Sequence, residues 1–166
     1  MDPGNLNSFP DYSELRTQLS LKIQTVGEIV ERCETMLTRQ ERIFSLLHSS
    51  INELVSQCSY LEDSELERIR VDFHEAKMLV TKVKSLMESM KEIQSQARAK
   101  VEFISLHVSE QNCQNEVMEM KDLLDSFQTM ASLILENRNR FQSVVVGIKG
   151  RIRTLAETYS STDSDE

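Results

Sequence analysis

Residues 66–108 read LERIRVDFHEAKMLVTKVKSLMESMKEIQSQARAKVEFISLHV. Thirteen positions in this stretch recur at alternating spacings of three and four: Leu66, Ile69, Phe73, Ala76, Val80, Val83, Met87, Met90, Gln94, Ala97, Val101, Ile104 and Val108. Of these only Gln94 is polar. A mean period of 3.5 residues keeps one narrow stripe of an α-helix turned toward a partner helix, so this segment predicts a coiled-coil or bundle helix.

The same 43-residue seam appears on both sides of it. Residues 19–61 carry Leu19, Ile23, Val26, Val30, Cys33, Leu37, Gln40, Phe44, Leu47, Ile51, Leu54, Cys58 and Leu61. Residues 117–159 carry Val117, Met120, Leu124, Phe127, Ala131, Ile134, Arg138, Phe141, Val145, Ile148, Ile152, Leu155 and Tyr159. Each seam holds a single non-apolar position. Matched lengths suit antiparallel neighbours, which must end together to bury their seams.

The frame slips by one residue before Leu66 and by two before Val117. The first slip holds Glu62-Asp63-Ser64-Glu65-Leu66-Glu67, in which Ser64 and Glu67 have capping-box spacing. The second is polar and offers Asn112 or Asn115 as a helix cap. Neither slip contains Pro or Gly, so two architectures compete: an up-down-up three-helix bundle, or longer helices that run on and pair with other chains as a coiled coil. Extra apolar residues beside the seams favour the bundle, because a helix packed on two neighbours needs a wider apolar face. Such residues are Leu15, Ile29, Met36 and Ile43 on the first helix, Leu79, Leu86 and Ile93 on the second, and Leu123, Met130 and Val144 on the third.

The expectation is therefore an all-α, elongated, long antiparallel three-helix bundle over 11–159, with helices of about 65 Å over roughly 11–61, 64–108 and 115–159. Residues 1–10, which hold both prolines, read as a disordered arm, and 160–166 as an acidic disordered tail. If the hairpin frame holds, Gln40, Met87 and Arg138 share a layer, with Gln94 close to it. A polar layer costs stability but fixes register.

The formal net charge is −8, yet the three seam segments together carry 18 basic against 16 acidic residues, so the excess acid lies in connections and ends. No domain-wide basic surface of the nucleic-acid-binding kind is present. Cys33 and Cys58 are 25 residues apart on one helix, about 37 Å and far too distant for a disulfide. Unpaired thiols, no secretory leader, no lipidation signature and no membrane-spanning apolar run together indicate the cytoplasm or nucleus.

Chemistry is scarce. His48, His74 and His107 have no partner at helical-turn spacing, and no phosphate loop, nucleophile elbow or Gly-rich turn occurs. A non-enzymatic protein without metal or cofactor is expected. One flank of the second helix is a basic column, Arg70, Lys77, Lys84, Lys91 and Arg98, at seven-residue spacing. It reads as a solvated flank pairing with acids on a neighbouring helix, or as a docking strip for an acidic partner or an anionic membrane surface. Ser160, Ser161, Thr162 and Ser164 stand among acids and suit acid-directed phosphorylation.

Residues 37–105 resemble the small helical subunits of complexes that build and position lysosome-related organelles. The shared features are Leu37-Thr38 opening an apolar helix, a short acidic break, and Glu75-Ala76-Lys77 leading into a second amphipathic helix. Small subunits of kinetochore or spindle complexes have the same pattern. The mid-seam Gln40 and Arg138 also resemble the central polar layer of SNARE helices, although neither a membrane anchor nor an acylation cysteine cluster accompanies them. The matched seams and the scarcity of chemistry point to a scaffold or adaptor subunit that binds other proteins through helix packing in a hetero-oligomeric complex, while the basic column points to a peripheral membrane or trafficking factor as an alternative. A spectrin-like spacer rod is the self-contained alternative.

Overall fold

The computed structural model describes residues 12–57, 63–109 and 113–164, with side chains at 13–57, 64–109 and 113–158. Three long helices pack against one another: α1 (Tyr12–Gln57), α2 (Asp63–His107) and α3 (Gln114–Ser164). No strand occurs among the described residues. The all-α three-helix bundle read from the seams is the fold.

The helix ends differ instructively from the sequence expectation. Ser64 lies inside α2, whose first residue is Asp63, so it does not cap that helix. The first intrahelical bond of α3 runs from Val117 N to the carbonyl of Cys113 at 3.0 Å, which puts Cys113 at the capping position. Its side chain is buried in the core of the first unit. Asn115 is an exposed residue of the first turn, and Asn112 lies outside the described residues. At the other end α3 runs on to Ser164, through most of the stretch expected to be a free tail. No Pro or Gly stands there to stop it. The arm at 1–10, Cys58 and Leu61 lie outside the described residues.

No described seam position is exposed, and every flanking apolar residue named above is buried or half-buried. This is the wide face that packing on two neighbours requires. Hydroxyls in the helix interiors bond back one turn, as Thr38 Oγ1 does to the Glu34 carbonyl at 3.0 Å and Thr81 Oγ1 to that of Lys77 at 3.0 Å.

Two compact units are formed, each drawing on all three helices. The first takes the chain up to Cys33 together with Met87–Ser132. Its core holds Leu19, Ala97, Ile104, Val108, Cys113 and Met120, with Leu15, Ile23, Val101, Val117, Leu123 and Leu124 packed around them. Arg16 Nη2 donates to the Ser105 carbonyl at 2.8 Å, and Lys100 pairs with Glu119. The second unit takes Glu34–Leu86 together with the chain from Leu133. Its core includes Leu47, Ile51, Leu54, Ile69, Ala76, Val80, Phe141, Val145, Ile148 and Leu155. Each fully buried aliphatic or aromatic side chain here stabilises the fold by about 1.5–3 kcal/mol relative to an exposed one.

Directions within the second unit follow from its cross-helix contacts. Phe44 stacks on Phe73 and Glu41 pairs with Lys84 at 3.7 Å, so α1 and α2 are antiparallel. Arg140 meets Glu75 at 2.6 Å and Arg151 meets Asp72 at 3.6 Å, so α2 and α3 are antiparallel too. α1 and α3 therefore run parallel in this unit.

Candidate functional site

The polar seam residues have distinct fates. Gln40 is 4% exposed, and neither its Nε2 nor its Oε1 has a hydrogen-bond partner. Arg138, in the same unit, is half-buried, while the residue buried beside it is Asn137, whose Nδ2 donates to the Leu133 carbonyl at 2.7 Å. Gln94 belongs to the first unit and is half-buried, with its Nε2 near the Gly27 backbone.

All five members of the basic column are exposed. Lys84 uses its charge on Glu41 of α1, and Arg98 lies by Gly27 of α1. The flank of α2 that carries the column is thus the one turned toward α1. The side chains of Ser160, Ser161, Thr162 and Ser164 lie outside the described residues, although the helix backbone extends to Ser164.

A second set of residues had no place in the seam reading. Large apolar side chains stand exposed off the stripes: Leu21, Leu106 and Met118 in the first unit, and Leu46, Val71, Met78, Leu135 and Val146 in the second. The available signal was spacing off the seam. Val71 and Met78 are seven residues apart, Leu135 and Val146 eleven, and both intervals return to nearly the same helix face.

The position of Leu135 and Val146 in the second unit follows from rotation at about 100° per residue. Arg140 and Arg151 face α2. Leu135 and Val146 each precede one of these by five residues, a rotation of about 140° over the solvent side of α3, which leaves them about 120° and 140° from Phe141 on the side opposite the two arginines. They therefore lie on the flank of α3 away from α2. On α1, Glu41 and His48 face α2. Leu46 follows Glu41 by five residues, so it also lies on the flank away from α2. In a three-helix unit both flanks border the furrow between α1 and α3. Met36 and Ile43, both half-buried, form the α1 side of its floor. Exposed Arg39, Lys149 and Arg153 and half-buried Arg138 border it, as does exposed Glu53, one heptad from Leu46 on the same face of α1, while Glu157 stands further out.

The histidines sit singly on helix surfaces. His48 and Phe73 have ring centroids 5.4 Å apart, and Phe103 and His107 4.5 Å. Among the described residues no group of three His, Cys, Asp or Glu could hold a metal ion. No described helix is long and apolar enough to cross a membrane. Burial pushes the thiols of Cys33 and Cys113 above the ordinary thiol range, and for Cys113 the charge of Glu116 adds to it. The hydrogen bond to Glu75, together with its charge, raises the Arg140 guanidinium further.

Compared with known proteins, the chain matches no family model, no curated protein and no solved structure.

Proposed function

We propose that the chain is a non-catalytic helical scaffold or adaptor subunit that binds other proteins through helix packing in a hetero-oligomeric complex. One observation carries this reading. The seams are satisfied within the chain, yet each unit keeps large apolar side chains on its outer helix faces, among them Val71 and Met78, and Leu135 and Val146. Apolar residues recurring on one face of a solvent-facing helix favour further helix packing over solvation. That neither Cys33 nor Cys113 is in a disulfide supports work in a reducing compartment, the cytoplasm or nucleus. Partners that are proteins, rather than nucleic acid, fit the mixed charge of the helices.

Affinity purification of the tagged chain from cells, with stoichiometry and mass by light scattering, tests the reading. The expected result is a fixed set of proteins at constant ratio, reduced by Val71→Asp with Val146→Asp while circular dichroism stays unchanged. A chain that is recovered alone and monomeric overturns it.

A further inference from the structure

We infer that the furrow between α1 and α3 of the second unit is a docking groove for an acidic amphipathic helix of a partner protein. This rests on the scaffold reading and names the partner's chemistry. Leu46, Leu135 and Val146 stand on the rims of the groove at 60%, 50% and 70% exposure, with Met36 and Ile43 half-buried in its floor. Between Leu135 and Arg153 the groove is about 27 Å long, room for a helix of some eighteen residues. The spacing from Leu135 to Val146 spans three helical turns, so a partner helix laid along the furrow meets an apolar residue at each end of that interval.

Charge selects the occupant. Arg39 borders the groove from α1, and Arg138, Lys149 and Arg153 border it from α3, outnumbering Glu53 on the α1 rim. An incoming helix with Glu or Asp beside its apolar stripe places carboxylates against these cations, while a basic helix is repelled. The same arrangement disfavours a second copy of this chain. A two-fold contact through this face sets each copy's Arg138, Lys149 and Arg153 against a surface of like charge. A flat membrane surface would meet the rim residues but not Met36 and Ile43, which lie half-buried in the floor between two helices and are reached by an inserted helix.

The test is site-specific photocrosslinking of the full chain in cells, with benzoylphenylalanine placed at Leu135 or Val146, or at Val71 or Met78 on the outer face of α2. The crosslinked peptides are identified by mass spectrometry. The expected result is that positions 135 and 146 both join to one peptide whose sequence is an amphipathic helix with acidic flanks. The yield should drop at least about fivefold in Lys149→Glu with Arg153→Glu, two exposed positions at which the helical signal is retained. Crosslinks at 135 and 146 to lipid, to a second copy of this chain or to a non-acidic segment overturn the inference. Protein crosslinks at 71 or 78 with none at 135 and 146 overturn it and leave the scaffold reading standing. No protein crosslink at any of the four positions overturns both.

Discussion

Phe44 of α1 lies nearly flat against Phe73 of α2, with ring centroids 4.5 Å apart and planes 13° from parallel. The two rings are seam residues of adjacent helices, so the stack ties a register choice to a specific aromatic contact. The His48 ring, at 5.4 Å from Phe73, covers the same ring from the next turn. Because both phenylalanines are half-buried, Phe73→Ala should cost about 2 kcal/mol, below the 3–5 kcal/mol of a fully buried phenylalanine. A double-mutant cycle with Phe44→Ala should show a coupling of about 0.5–1.5 kcal/mol in urea unfolding. Additive effects would mean that the rings do not stack in solution.

Gln40 buries an amide with no partner at either end. Such a group gives up its hydrogen bonds to water and recovers none, a cost of about 1–3 kcal/mol. Gln40→Leu keeps a similar volume and removes that cost, so its urea midpoint should rise by an amount equivalent to about 1–2 kcal/mol. If the layer fixes register, the gain in stability should come with a broadened or altered oligomer distribution in light scattering. A midpoint that falls would show the amide to be satisfied in solution.

The fate of the seam explains how much of this was legible in the chain. Three matched stripes specify three helices, because only a helix returns residues 69, 76, 83 and 90 to one face. The widening residues such as Ile43 and Leu79 then select the bundle over a two-stranded coil. The polar layer was harder to place. Asn137 lies one heptad before buried Val144, on the flank that widens the seam, and is buried there, while Arg138 keeps the seam position. Arg138 follows the rule for long cations, lying half-buried with a stem that can cover apolar surface. Neither the cap at Cys113 nor the groove residues Leu135 and Val146 belong to any local rule. The first depends on a thiol finding the core of another segment, and the second on which flank of α3 its neighbours leave uncovered.

Gly147 and Gly150 are exposed positions inside α3, and a Cβ built on either meets nothing within 4 Å. Glycine in a helix interior costs about 0.5–1 kcal/mol relative to alanine, since it has more backbone freedom to lose on folding. Gly147→Ala and Gly150→Ala should each stabilise the chain by about that amount, and together they should raise the melting temperature additively. A null or negative shift in thermal denaturation would mean that α3 bends or is covered at these positions.

Cys113 caps α3 from within the core of its unit, and burial and Glu116 both hold its thiol above the ordinary range. Cys33 is shifted the same way by burial alone. The folded state thus holds these protons more tightly than the unfolded state. The resulting stability is fully present below the unfolded thiol pKa, about 8.5, and is lost as pH rises through the folded value. The urea midpoint should therefore decline between about pH 8 and pH 10, and Cys113→Ala with Cys33→Ala should flatten that part of the decline. Site-resolved alkylation at pH 8 should find Cys113 slower than an unfolded peptide thiol, on the order of tenfold or more, because a buried thiol is neither ionised nor reached. Equal rates at Cys113 and in the urea-unfolded chain would show that the start of α3 opens freely and that this thiol does not anchor it.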